Sequence, residues 1–117
     1  MRVLVCGGRD NWDHEGVGRE LSIRWVQTNN LAPFILITGG ANGIDSCALQ
    51  WAMKHNVKCE LYPAEWKKYG KRAGPVRNTQ MIVEGKPDLV IAFPGGRGTA
   101  DMIRQACAAG IKVEEVK

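Results

Sequence analysis

Apolar and polar positions along this chain of 117 residues fall into two alternating patterns. Short, nearly unbroken apolar runs occur at 2–6 (Arg2-Val3-Leu4-Val5-Cys6), 34–38 (Phe34-Ile35-Leu36-Ile37-Thr38) and 88–93 (Asp88-Leu89-Val90-Ile91-Ala92-Phe93). Such runs mark strands covered on both faces, since a strand with one wet face alternates. Between them apolar residues recur at helical spacing. Val17, Leu21 and Trp25 share one face within about 15–29, and Ile44, Ala48, Trp51 and Ala52 form a stripe within about 43–55. A further strand is expected at 57–62, stopped by Pro63. Residues 64–74 lack periodicity and read as a loop punctuated by Gly74-Pro75. A helix over 75–84 follows, with Pro75 at its first position and Gly85 and Pro87 at its end. The last elements are a helix over about 98–109, with Gly110 placed as its C′ residue, and a short strand at about 112–116.

Strict alternation of strand and helix predicts βαβ units and a three-layer α/β fold. The expected architecture is Rossmann-like: a mostly parallel sheet of about five strands in the order 3-2-1-4-5, with helices on both faces. One domain over 1–117 is expected, because no repeat, low-complexity tract or linker interrupts the pattern. In that strand order the chain reverses between the first and fourth strands. Ligands bind at such switch points, outside the carboxyl ends of the strands.

Three apolar runs end in glycine-rich turns, so the candidate chemistry collects at one end of the sheet. Pro94-Gly95-Gly96-Arg97-Gly98-Thr99 is the strongest signal. Glycine lets backbone approach a ligand closely, and the following helix offers free N–H groups and a partial positive charge to an anion. Thr99 either caps that helix or bonds a phosphate oxygen. The sequence is not a P-loop, because no G-x-x-x-x-G-K-[ST] is present. Gly39-Gly40-Ala41-Asn42-Gly43-Ile44-Asp45 is the second turn, in which Asp45 is either a dipole partner or a carboxylate for ribose hydroxyls. Gly7-Gly8-Arg9-Asp10 is the third; Arg9 either meets phosphate or pairs with Asp10 or Asp13. Arg77 and Asn78 fall in the first turn of the helix expected at 75, where a cation is disfavoured by a few tenths of a kcal/mol, about the low end of the dipole scale. That misfit points to a partner or ligand for Arg77. Asp101, in the first turn of the helix expected at 98, is either a general acid/base or a dipole partner. His14 and His55 read as surface or packing residues.

The composition, 44% hydrophobic and 24% charged, is that of an ordinary globular domain. No apolar run approaches the roughly 20 residues of a membrane span. The chain starts directly on a strand pattern, so a cytoplasmic location is expected. A net charge of +4 suits an anionic ligand but does not by itself imply nucleic acid. Basic residues crowd one segment, Lys67, Lys68, Lys71, Arg72 and Arg77, with Trp66 and Tyr69 interleaved. It is either a solvated loop or a basic, aromatic flap beside the glycine turns. Cys6, Cys47, Cys59 and Cys107 form no C-x-x-C pair and read as reduced, buried packing residues, with no metal site.

Taken together, GGRD at 7–10, GGANGID at 39–45, the Trp-containing basic loop at 65–72, AGPVRN at 73–78 and AFPGGRGTAD at 92–101 resemble the YspA-like branch of the SLOG superfamily. The resemblance covers nearly the whole chain. It implies a Rossmann-like domain of the kind found in bacteria and in phage genomes, and a homodimer or tetramer paired through helices beside the site. LONELY GUY-type phosphoribohydrolases, which split nucleoside monophosphates, are relatives of that branch. By resemblance Arg77 matches the Arg at the start of their preceding helix, and Asp101 stands where their catalytic Glu would be. The shorter acid sets the carboxylate back by on the order of 1 Å, a misplacement that can cost about 100-fold in rate. The DNA-processing protein A family, which binds single-stranded DNA, shares a G-x-A-x-GID segment like Gly40 to Asp45. Other SLOG proteins sense nucleotide signals, including NAD-derived ones. The leading expectation is therefore a module that needs no cofactor and binds a phosphorylated nucleoside or an ADP-ribose-like or cyclic nucleotide signal. Backbone at Gly8, Gly40, Gly96 and Gly98 would meet phosphate, Arg9, Arg77 and Arg97 would add charge, Asp45 or Asn78 would hold ribose hydroxyls, and Trp66 or Tyr69 would stack on the base. The alternatives are an N-glycosidase using Asp101 and Arg77, and single-strand nucleic-acid binding through the basic flap.

Overall fold

The structure is a computed structural model that describes residues 1–28 and 32–117. Strands β1 (Arg2–Cys6), β2 (Ile35–Thr38), β3 (Lys58–Leu61), β4 (Leu89–Ala92) and β5 (Lys112–Glu115) form one sheet in the order β3-β2-β1-β4-β5, with every pair parallel. The predicted order and class hold. In register, Val3 of β1 lies between Leu36 of β2 and Leu89 of β4.

Side-chain alternation sorts the central strands into two cores. Val3, Val5, Leu36 and Ile91 pack with Val17 and Leu21 of α1 (His14–Gln27) and Ile44, Ala48 and Trp51 of α2 (Ile44–Lys54). Leu4, Ile37 and Val90 pack on the other face with Met81 of α4 (Ala73–Val83) and Met102 and Ala106 of α5 (Arg97–Ala108). The apolar-run reading therefore holds for β1, β2 and β4. The edge strands β3 and β5 depart from it: Lys58, Lys112 and Glu115 are exposed, and charged edges discourage further strand pairing, while the apolar Leu61 is exposed beside them. Trp51 is a core residue, edge-on to Trp25 at 5.6 Å, and its Nε1 donates to Ser22 Oγ at 3.0 Å. His55 packs against both rings, 5.1 Å from Trp25 and 4.9 Å from Trp51.

Several boundaries differ from the sequence reading. The segment 64–74 is not all loop. It contains α3 (Trp66–Tyr69) and a 3-10 turn over Gly70–Arg72 that runs straight into α4. None of the side chains in these two turns is buried, so they left no periodic signal. Because α4 starts at Ala73, Pro75 occupies its third position, where the N–H it lacks has no intrahelical acceptor. Arg77 and Asn78 consequently lie beyond the first turn, and the dipole misfit inferred for Arg77 does not arise. Likewise α5 starts at Arg97 on an N-cap of Gly96, so Thr99 is not the cap and Asp101 is outside the first turn. The C-terminus of α5 ends as expected: Gly110 has φ +75°, its N–H donates to the Cys107 carbonyl, and that of Ile111 donates to the Ala106 carbonyl. Cys6 and Cys47 are buried, but Cys59 is half-buried and Cys107 is exposed, against the expectation of four buried thiols. The expected end of α1 at 29 lies outside the described residues. No helix is long and apolar enough to cross a membrane among the described residues.

Candidate functional site

The three glycine turns meet at the carboxyl ends of β1, β2 and β4 and pack on one another. The Gly8 N–H donates to the Pro94 carbonyl at 3.0 Å, and the Gly8 carbonyl accepts from Ile44 N–H at 3.2 Å. Gly43, the N-cap of α2, has φ +76°, and a Cβ there would collide with the Gly8 and Arg9 carbonyls. A Cβ at Gly95 would overlap Thr99 Oγ1 and lie 2.6 Å from Gly8 N. These glycines first serve to bring the turns into contact. The Gly8 N–H, expected to meet phosphate, is already bonded.

Beside this junction opens a crevice of about 770 Å³. Its volume lies within the range typical of small-ligand sites, roughly 300–1,000 Å³. The wall takes Gly7 to Asn11 from the first turn, Ala41 and Asp45 from the second, and Pro94 to Thr99 from the third. The other side is formed by Trp66, Lys71, Arg77, Asn78 and Asp101. The crevice thus gathers most of the residues singled out from sequence. Gly39, Gly40 and Asn42 are not on its wall. Lys71 and Asn11 are wall residues that had not been assigned to the site. Lys71 carried a signal in the basic segment. Asn11, whose Nδ2 donates to the Pro94 carbonyl at 3.2 Å, carried none.

At one end of the crevice α5 begins without a side-chain cap. The N–H groups of Arg97, Gly98 and Thr99 make no hydrogen bond among the described residues; the first helical bond is from Ala100 N–H to the Gly96 carbonyl at 3.0 Å. Gly96, Arg97 and Gly98 are exposed, and a Cβ at Gly96 or Gly98 would meet open space. Free donors and the positive end of a helix of 12 residues face that opening.

Arg77 lies on the wall at 9% exposure. Its Nη1 donates to the Gly39 carbonyl at 3.0 Å and its Nε to Asn78 Oδ1 at 3.2 Å. No carboxylate lies within ion-pair distance of it among the described residues. Burial pulls its pKa down, while Asp45, further off, pulls it up. Asn78 is fully engaged: its Nδ2 donates to the Gly98 carbonyl at 3.1 Å and to Asp101 Oδ2 at 3.0 Å.

Asp101 is engaged as well. Its Oδ2 accepts from Asn78 and from Gln105 Nε2 at 2.8 Å, and its Oδ1 accepts from Arg104. Both oxygens are held by structural donors, so Asp101 ties α5 to α4. Asp45 differs. One oxygen, Oδ2, accepts from Ala41 N–H at 3.1 Å and closes the second turn, which Ser46 Oγ braces by donating to the Ala41 carbonyl at 2.8 Å. Burial raises the Asp45 pKa, against the lowering effects of the Ala41 N–H and Arg77. The fully buried Thr38 hydroxyl also lowers the Asp45 pKa as a side-chain donor, although its geometry falls short of an ordinary hydrogen bond.

Arg9 pairs with neither Asp10 nor Asp13. Its guanidinium lies over the Trp66 ring, 5.0 Å from the centroid, a cation–π arrangement. Trp66 is half-exposed over Gly74. Lys67, Lys68, Arg72 and Tyr69 are not on the crevice wall, and Lys68 sits over the Tyr69 ring at 5.1 Å. Burial pushes the Cys6 thiol, also on the wall, up to about 12, so it is not a nucleophile at neutral pH. No cluster of three metal-ligating side chains forms among the described residues.

Comparison with known proteins agrees with this architecture. The family model described as YspA, cpYpsA-related SLOG family matches residues 1–69. Gene 61 protein of Mycobacterium phage D29 is 38% identical over 121 residues, spanning 96% of this chain and 93% of that protein. The X-ray structure of TM1055, a Northeast Structural Genomics Consortium target, matches with a TM-score of 0.68 at 18% identity, covering 97% of this chain and 72% of that one.

Proposed function

This chain belongs to the YspA, cpYpsA-related SLOG family, and on that premise we propose that its crevice binds a phosphorylated nucleoside, or a nucleotide-derived signal of the ADP-ribose or cyclic nucleotide kind, and leaves it intact. The observation that carries this reading is Arg77. A buried guanidinium without a carboxylate partner is destabilising by several kcal/mol, about 3–5 where a partner has been removed. A phosphate seated between Arg77 and the open end of α5 relieves that cost and satisfies the free N–H groups of Arg97, Gly98 and Thr99. Arg97, exposed at the mouth, adds charge. Trp66 offers its face to a base once Arg9 moves from it to the phosphate.

The hydrolase alternative is weaker on the same geometry. An acid that assists water needs acceptor capacity, and Asp101 already accepts three hydrogen bonds on its two oxygens, of roughly four a carboxylate can take. Single-strand binding is weaker too, because Lys67, Lys68 and Arg72 of the basic segment are off the crevice wall.

The test is incubation of purified protein with a panel of nucleoside monophosphates, cyclic nucleotides and ADP-ribose, followed by mass spectrometry of the retained and released molecules. Stoichiometric recovery of an intact nucleotide is expected. Free base accumulating beyond one equivalent would make the protein a hydrolase.

A further inference from the structure

Three polar side chains on the crevice wall, Asn78, Asp101 and Asp45, could meet a sugar hydroxyl, and their hydrogen bonds separate them. Asn78 has both donor hydrogens and its carbonyl oxygen engaged, by Gly98, Asp101 and Arg77. Asp101 has both oxygens engaged. Asp45 alone keeps an oxygen, Oδ1, that accepts no hydrogen bond among the described residues, in a carboxyl that is 6% exposed and lines the crevice. A carboxylate is an acceptor only, and this oxygen is not sealed from the crevice: Thr38 Oγ1 is the one fully buried polar side-chain atom without a partner among the described residues. The turn Asp45 closes needs only Oδ2, so the orientation of Oδ1 is not explained by loop closure. The fully buried Thr38 hydroxyl lowers the Asp45 pKa but makes no hydrogen bond of ordinary geometry, so it only partly answers the carboxylate.

We infer that Asp45 Oδ1 accepts a hydrogen bond from a ribose hydroxyl, so that the crevice selects ribonucleotides over their deoxy counterparts. The inference rests on the phosphorylated-nucleoside reading above and narrows its ligand class. Phosphate at Arg77 and α5 fixes one end of the sugar, and Asp45, in the second turn against which Arg77 packs, meets the 2′- or 3′-hydroxyl. A deoxy ligand leaves Oδ1 without a donor. A hydrogen bond to a charged group is worth about 1.5–3 kcal/mol, which corresponds to a preference of roughly 10- to 150-fold. DNA is thereby disfavoured as a ligand.

The experiment is calorimetric titration of the full chain with adenosine 5′-monophosphate, its 2′-deoxy and 3′-deoxy analogues, and ribose 5-phosphate. It is run on the unaltered protein and on Asp45→Asn. Asparagine keeps a carbonyl for the Ala41 N–H, so the turn persists, and the melting temperature checks this. At least one deoxy analogue is expected to bind tenfold or more weakly than the ribonucleotide, and Asp45→Asn is expected to abolish the difference by weakening the ribonucleotide alone. Equal affinity for all three nucleotides in the unaltered protein would overturn the inference while leaving phosphate binding intact. A preference that survives in Asp45→Asn would overturn the assignment to Asp45. If none of the four phosphate esters binds at millimolar concentration, the underlying reading fails and this one with it.

Discussion

Gly39 and Arg77, 38 residues apart, form a matched pair. The Gly39 carbonyl accepts the Arg77 Nη1 hydrogen bond at 3.0 Å, and the position a Cβ would take on Gly39 is occupied by the Arg77 guanidinium itself. The second glycine turn thus acts on the crevice indirectly. Gly39 is not on the wall, yet its missing side chain is the space in which the wall's buried cation sits. Gly39→Ala is expected to displace Arg77 and to reproduce the binding defect of an Arg77 variant, with a loss of stability of about 1–3 kcal/mol from overpacking. Thermal melting and nucleotide titration of the two variants side by side check this. An alanine variant that binds as tightly as the unaltered protein would show that Arg77 can do its work from another position.

Trp66 is half-exposed, so Trp66→Ala is expected to leave the melting temperature nearly unchanged. Base–aromatic stacking contributes about 1–3 kcal/mol per base. The ratio of affinities for adenosine 5′-monophosphate and ribose 5-phosphate should therefore collapse by roughly 5-fold or more, while ribose 5-phosphate binding is unaffected or improves as Arg9 is released. An unchanged ratio would remove Trp66 from the base site.

Asp45 carries an electrostatic cost. Its folded-state pKa is raised, chiefly by burial, above the ordinary value of 3.8. The native state therefore holds a proton that the unfolded chain has released. Stability from this group falls as pH rises from 3.8 through the raised value, and the full cost of the buried charge applies above it. Glu60 and Glu114, lowered by hydrogen bonds from Arg2 and Arg24, act oppositely: their contribution is present above the ordinary carboxylate range and fades as pH falls through their lowered values. Asp45→Asn is expected to melt at or above the unaltered protein at pH 7 and to lose that advantage at pH 4. Denaturant titrations at the two pH values read the difference. Destabilisation at pH 7 would mean that the carboxylate is a net structural support.

The thiols should separate in reactivity. Cys107 is exposed, Cys59 is half-buried with its pKa raised to about 11, and Cys6 and Cys47 are buried. Iodoacetamide on the native protein, followed by peptide mass spectrometry, is expected to label Cys107 first, Cys59 slowly, and Cys6 and Cys47 only after unfolding. Early labelling of Cys6 would indicate that the crevice floor opens.

Much of the architecture was legible in the chain because its signals are local. Val3 to Val5, Leu36 to Ile37 and Leu89 to Ile91 are buried on both faces, and continuous apolar runs followed by glycines show both the strands and the end of the sheet where the turns gather. The edge strands were harder to read, since Lys58, Glu60, Lys112 and Glu115 serve solvent as much as the core. The helical turns over 66–72 bury nothing and leave no period, and Pro75 imitates a helix start two residues late. Within the crevice, residue types were visible but their occupancy was not. That the Gly8 N–H is taken by Pro94, that Asp101 accepts from Asn78, and that Arg9 rests on Trp66 are relationships between distant segments. No spacing in the chain encodes them. They decide which carboxylate is free and which cation lacks a partner.

Under the proposed function, a ligand's phosphate answers the buried charge of Arg77. It is tested most directly by titrating adenosine 5′-monophosphate and adenosine, in parallel, into the unaltered protein and Arg77→Gln, with melting temperatures recorded for both. The monophosphate should bind the unaltered protein at least tenfold more tightly than adenosine does, and the difference should vanish in a folded Arg77→Gln. Adenosine binding as well as its monophosphate, or an Arg77→Gln variant that keeps the full preference, would contradict it.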